Sequence, residues 1–499
     1  MLNELLDRLA EVRDLRAAAA VLHWDQATYM PPGGAPARGR QLATLRRLAQ
    51  EKFTDPEVGR LLDTLEPWAA DQDPDGDDAR LVRVTKWDYD RSVRIPADLV
   101  AEMSQHGAAA YQAWTVARPA NDFAAVQPFL EKSLDLSHRF STCFPEFEHP
   151  ADVFVDFSEP GMTVAKVRAV FAELRAALVP LVRAVTERPV ADDSCLNQHY
   201  PEADQVAFGE RIIRRYGYDF NRGRQDKTHH PFMTKFSLGD VRITTRFRDN
   251  DLGDGLFSTL HEAGHALYEQ GISQSLEGTP LAGGTSSGVH ESQSRLWENI
   301  VGRSRGFWHH AYPELQATFP TQLGQVELDT FYRAINSVRP SLIRVDADEL
   351  TYNLHVILRF ELELELLEGK LAIADLPAAW RARYESDLGV SPPDDKDGVL
   401  QDVHWYGGTI GGAFHGYTLG NIMGAQFYQA ALAAHPEIPA EITGGQFDTL
   451  RGWLTENVYR HGRKFWAEEL LQRATGNSLT IEPYMQYLRG KYGQLYDLA

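Results

Sequence analysis

Two histidines four residues apart, His261 and His265, stand in the run Leu-Phe-Ser-Thr-Leu-His-Glu-Ala-Gly-His-Ala-Leu-Tyr at residues 256–268. On a helix that spacing separates them by about 40° in azimuth and about 6 Å along the axis, so both imidazoles can reach one ion. Neutral imidazoles suit zinc. Glu262, beside the first of them, is placed to take a proton from a water whose pKa the metal lowers to about 7. This is the HExxH arrangement. With 17 His and 70 Asp+Glu in 499 positions, composition alone produces it in at most about one chain in twelve, counting every acid as Glu, so its context has to be read too.

A catalytic zinc needs a third protein ligand and an open fourth position. A second helical segment, at residues 287–298, supplies Glu291 as that ligand, 26 residues beyond His265. The interval lets the first helix end, a Gly/Ser-rich loop at 283–288 turn back, and a second helix pack alongside. Glu269 and Glu298 are alternatives: Glu269 lies one turn further along the first helix, and Glu298 two turns beyond Glu291.

These residues need elements to hold them. Leu256, Phe257, Leu260 and Leu267 make an apolar stripe for the first helix, and Gly271 is a stop. Just upstream, Val241, Ile243 and Phe247 alternate with Asp240, Arg242, Thr244 and Arg246, a strand pattern that Gly239 and residues 235–238 extend into a hairpin or small sheet. Asp240, Arg242 and Thr244 share one face of that strand, either as a network steadying the adjacent helix, the reading we favour, or as an edge that pairs with extended substrate. Elsewhere apolar residues recur three and four apart, as in Val164, Val167, Val170, Phe171, Leu174 and Leu178, so the fold class is mainly α. The Pro/Gly and acidic interruptions at 30–34, 71–78, 160–161 and 391–397 read as loops, and no internal repeat is visible.

Composition sets the outer bounds. Lys+Arg 50 against Asp+Glu 70 gives a formal charge of −20, which disfavours nucleic-acid binding. Two cysteines, Cys143 and Cys195, make a disulfide framework improbable and favour a reducing compartment. The first residues carry Glu4, Asp7 and Glu11 at helical spacing, unlike a secretory signal, and the apolar stretch 410–434 is broken by His415, Asn421, Gln426 and Gln429, unlike a membrane span. The expected location is cytoplasmic.

At these residues the chain resembles the carboxypeptidase Taq family of metallocarboxypeptidases, nearly end to end. Five motifs match in order: Asp240-Val-Arg-Ile-Thr244, His261-Glu-Ala-Gly-His265, His290-Glu-Ser-Gln293, Ile343-Arg-Val-Asp-Ala-Asp348 and Gly398-Val-Leu-Gln-Asp-Val-His-Trp405. The resemblance implies a large, helical, clam-like homodimer with a small sheet beside the HExxH helix. It implies one divalent ion per chain, zinc or alternatively cobalt, and release of single amino acids from peptide C-termini. We treat residues 1–499 as one domain: an N-terminal helical region to about 230, a metal-site core at about 231–425, and C-terminal helices at about 426–499. After Trp405 the chain departs from the family's usual aromatic-Pro stretch, reading Gly411-Gly-Ala-Phe-His-Gly-Tyr-Thr-Leu-Gly420.

An exopeptidase must recognise a terminal carboxylate, which a guanidinium does with two parallel charge-assisted hydrogen bonds. Arg344 is the candidate, just before a helix start marked by Asp346, Asp348 and Glu349; the competing role is pairing with those acids. His404, His230 and Tyr417, in that order, are donors available to the oxyanion. For His404 the bland role is a bond to Asp402. The expected reaction is hydrolysis of the last peptide bond, with Glu262 as general base. A zinc endopeptidase and a non-catalytic helical scaffold are the alternatives.

Overall fold

The computed structural model describes residues 1–498. Helices account for 68% of the chain, and the described residues contain one three-stranded sheet. The chain forms two compact units, each assembled from three separate stretches. The first comprises Met1–Val93, Asp192–Ile335 and Met423–Ser478; the second comprises Arg94–Ala191, Asn336–Ile422 and Leu479–Ala499.

In the first unit, helices Leu2–Thr28 and Ala35–Phe53 fold back on each other across a short Pro32–Gly34 turn. Leu5, Leu9 and Val12 meet Ala49, Phe53, Val58 and Leu61, and the same cluster takes in Leu238, Ile272 and Leu281. That core therefore joins the N-terminal helices to the segments flanking the HExxH helix.

The sheet has the order β1-β3-β2, with β1 at Gln225–Lys227, β2 at Phe232–Ser237 and β3 at Asp240–Thr245. The hairpin expected from the alternation is β2–β3, antiparallel with an irregularity at Lys235/Ser237; β1 adds in parallel. Val241 and Ile243 are fully buried. Gln225 Nε2 donates to Thr245 Oγ1 and to Thr259 Oγ1, both at 2.8 Å, and so ties β1 and β3 to the HExxH helix. Asp240 and Arg242 form a bidentate pair (2.8 and 2.7 Å), with the guanidinium 4.4 Å from the Trp24 ring. That pair serves the N-terminal helix, whereas Thr245 and Gln225 steady the active-site helix.

The HExxH helix spans Leu252–Gly271. Asp251 caps it by accepting from the backbone of Gly253 and Asp254. The second ligand helix, Ser287–Arg295, is capped by Ser286 and runs into a π-helical turn at Leu296–Val301. The two helices cross at Gly264, where a Cβ would lie 2.5 Å from Gln293 O and 2.6 Å from Ser294 Cα. Only glycine permits that approach, and the approach sets the spacing of the residues on both helices.

The second unit centres on the Tyr352–Leu367 helix, which buries Asn353, His355, Arg359 and Glu363 along with its leucines. Leu99, Leu136, Phe140, Phe144 and Val153 form a satellite cluster. Among the described residues no helix is long and apolar enough to cross a membrane.

Gly264→Ala forces two backbones apart, and the overpacking outweighs the gain in helix propensity. We expect a loss of about 2 kcal/mol, read from the denaturant midpoint. An unchanged midpoint would show that the crossing is not tight.

Candidate metal centre

His261 and His265 project from one helix and Glu291 from the next, and one potential ligand atom from each lies within 4.8 Å of the others. Glu291 Oε2 is 3.6 Å from His261 Nε2 and 3.4 Å from His265 Nε2. Ligands at zinc-like distances of about 2.0–2.2 Å on tetrahedral corners are spaced by about 3.3–3.5 Å, so an oxygen at these separations from each of two nitrogens fits a small divalent cation. The His261 and His265 side chains are 19% and 17% exposed, which leaves solvent or substrate a way in.

Each donor is held from behind. His261 Nδ1 donates to Glu298 Oε2 at 2.9 Å. His265 Nδ1 lies 2.7 Å from His290 Nδ1, and His290 Nε2 is 2.9 Å from Glu269 Oε1. Glu291 Oε1 accepts from Arg295 Nε at 2.7 Å, and its Oε2 accepts from Ser294 Oγ at 3.1 Å. Thus Glu269 and Glu298, the two alternative ligands weighed from sequence, each sit behind a histidine. Neither belongs to the trio that converges.

Charge follows from this packing. Burial alone would raise the Glu291 carboxyl, but Arg295 and the two histidines hold it well below the usual carboxylate range. Glu298, opposed by Arg295, His261 and Arg303, is brought down to about 2 despite its burial. Burial pushes the His265 imidazole down to about 4, so it is neutral, the form that coordinates metal. Glu262 is only 6% exposed, and burial, reinforced by Glu291 and Glu298, lifts it to about 7 against the pull of His261.

The second unit assembles the other expected residues. Arg344 stands in a short turn, Arg344–Asp346, ahead of the Tyr352–Leu367 helix. Its partner is none of the nearby acids but Asp402, reached from Nε at 2.8 Å and Nη2 at 3.3 Å, while Nη1 donates to Tyr352 Oη at 3.2 Å. Asp402 also accepts from Arg359 Nε (2.9 Å) and bonds His404 Nδ1. His404 Nε2 is 3.3 Å from Tyr417 Oη, and the Arg344 guanidinium lies 5.3 Å from the Tyr417 ring. Arg344, His404 and Tyr417 therefore form one cluster around Asp402. His230 lies in the first unit, exposed on the loop between β1 and β2.

Several residues escaped the sequence reading. His290 and the bracing roles of Glu269 and Glu298 were hidden because their partners lie on the neighbouring helix; the one available signal was that Glu269 continues the four-residue spacing of the histidines. Arg359 and Gln401, whose Oε1 accepts from the Arg344 backbone N–H at 3.0 Å and from Arg359 Nη2 at 2.8 Å, were likewise missed.

The family model for the carboxypeptidase Taq (M32) metallopeptidases matches residues 4–492, and the chain belongs to that family. It is 41% identical to thermostable carboxypeptidase 1 of Thermus thermophilus, over 99% of this chain and 98% of that one, and 38% identical to carboxypeptidase 1 of Bacillus subtilis, over 99% of each. Among solved structures, it superposes on an M32 carboxypeptidase from Deinococcus radiodurans with a TM-score of 0.97 at 54% identity, covering 99% of both chains. It is thus a metallocarboxypeptidase, acting on peptides with a divalent metal.

Asp402 is the carboxylate that pairs with both buried guanidinium groups, Arg344 and Arg359. Asp402→Asn leaves two buried cations without their counter-charge and is expected to destabilise the protein by about 3 kcal/mol. Chemical denaturation checks this, and a loss below about 1 kcal/mol would mean that solvent reaches the pair.

Proposed function

We propose that this metallocarboxypeptidase releases single residues from peptide C-termini, with His261, His265 and Glu291 holding one divalent ion and Glu262 acting as general base. The observation that carries the reading is the convergence of His261 Nε2, His265 Nε2 and Glu291 Oε2 at metal-ligand spacing. The N2O donor set, two borderline imidazoles and one hard carboxylate, suits zinc, with cobalt able to replace it. When bound, such an ion polarises a carbonyl oxygen and lowers the pKa of water.

The chain's own residues do the rest. The Glu262 carboxylate, on the same helix as both imidazoles, accepts the proton of the attacking water and returns it to the nitrogen of the leaving amine. Arg344 selects a free C-terminus. Its Nε/Nη2 edge is committed to Asp402, and one N–H on each terminal nitrogen is left for an incoming carboxylate. His404 and Tyr417, held within bonding distance of each other beside that guanidinium, are the oxyanion donors we favour; His230, exposed on the loop between β1 and β2, ranks behind them. We further propose one functional domain, a homodimer, and a reducing, cytoplasmic location, which the two free cysteines suit.

Glu262→Gln should lower kcat by about 10²–10⁴-fold while the metal content measured by elemental analysis stays near that of the wild type. A normal rate would remove Glu262 from the chemistry.

A peptide with a free carboxylate should be trimmed and its C-terminally amidated twin left intact. Arg344→Lys should weaken kcat/KM for the free acid by about 10²-fold, as loss of a charged two-point contact implies. Equal cleavage of both peptides would point to an endopeptidase.

A further inference from the structure

The two imidazoles of the proposed metal centre are braced by different devices. Behind His261 stands the Glu298 carboxylate, which can only accept, so the proton sits on His261 Nδ1 and Nε2 carries the lone pair. Behind His265 stands a second imidazole: His265 Nδ1 and His290 Nδ1 are 2.7 Å apart, a separation that requires a single proton between two nitrogens, either of which can hold it. The pair does not decide its own direction.

The decision is made one residue further out. Glu269 is surrounded by donors: Lys235 Nζ at 2.5 Å and His290 Nε2 at 2.9 Å reach its two oxygens, and the Gly284 backbone N–H reaches the second of them at 3.0 Å. An ionised carboxylate so placed obliges His290 to carry its proton on Nε2. Its Nδ1 is then an acceptor, which in turn puts the His265 proton on Nδ1 and leaves Nε2 bare, facing Glu291 Oε2. The seat of His290 is shaped for this orientation. A Cβ on Gly284 would lie 2.5 Å from His290 Cδ2, and the Tyr268 ring packs at 5.2 Å.

We propose that Lys235, Glu269 and His290 form a relay of positioning residues that fixes the Nδ1–H tautomer of His265 and so presents its Nε2 lone pair to the ion. The proposal rests on the metal centre assigned above. It gives a purpose to the histidine that precedes Glu291 and to an acid that is not itself a ligand. It also links β2, the HExxH helix and the second ligand helix in one chain of bonds. Partners behind metal-bound histidines commonly change affinity by about 10–100-fold when removed.

Glu269→Gln tests the direction of the relay with almost no change of shape. The Lys235 ammonium retains the amide oxygen at the cost of the Gly284 N–H bond, so the amide NH2 faces His290 Nε2. The His290 proton then moves to Nδ1, the His265 proton to Nε2, and ligation requires its loss. For metal-free full-length protein titrated with zinc against a chromophoric chelator, the dissociation constant should rise about 10–100-fold, and the visible spectrum of the cobalt-loaded protein should change. Adding Lys235→Met to Glu269→Gln lets the amide turn its oxygen to His290 and should restore most of the affinity; a merely structural role predicts further loss. His290→Phe, which fills the seat and offers no acceptor, should weaken zinc to a similar degree and serves if Glu269→Gln folds poorly. A constant within about threefold of the wild type in both Glu269→Gln and His290→Phe would overturn the relay. The control is His265→Ala. If it loses zinc while those two variants do not, the relay alone falls; if it binds as tightly as the wild type, the metal centre falls with it.

Discussion

The structure of the site depends on how closely two backbones approach at Gly264. Because no Cβ intervenes there, the HExxH helix lies against the backbone of Gln293 and Ser294, and Glu291 on the second helix faces the two imidazoles of the first. A wider crossing would leave the carboxylate out of reach. The buried stripe on the HExxH helix, the Asp251 cap and the β3 strand beneath it all hold that one distance.

Concentrating so many ionisable groups in a largely buried space is unfavourable unless each is answered. Arg295 answers Glu291 and Glu298, Arg303 reaches Glu298 at 3.4 Å, and Lys235 answers Glu269. The π-helical turn at Leu296–Val301 carries Glu298, whose carboxylate reaches His261. The carboxylates behind the histidines are accordingly ionised, which makes them acceptors and gives the imidazoles a defined polarity.

The second unit solves a similar problem with one acid. Asp402 holds Arg344, Arg359 and His404 together, so the guanidinium proposed to read a substrate's terminus is immobilised before substrate arrives. Preorganisation of that kind reduces the ordering that binding would otherwise require. It also explains why the short run Gln401-Asp402-Val403-His404 is dense in polar residues although Gln401 and Asp402 are buried.

Much was legible in the sequence because it is local. Helical periodicity, the β3 alternation, the four-residue spacing of His261 and His265 and the stop at Gly271 follow from backbone geometry repeated over a few residues. Glu291 was legible as a ligand candidate because a loop of suitable length precedes it. What the chain alone left open was every choice between chemically equivalent partners. Glu269, Glu291 and Glu298 are the same side chain, and only the crossing of two helices decides which faces the imidazoles and which stand behind them. Arg344 had three acids within five residues, yet pairs with one 58 positions away. His290 gained its place because an imidazole from another helix came to rest against it. Such contacts between residues distant in sequence are set by packing, and packing is a property of the folded whole.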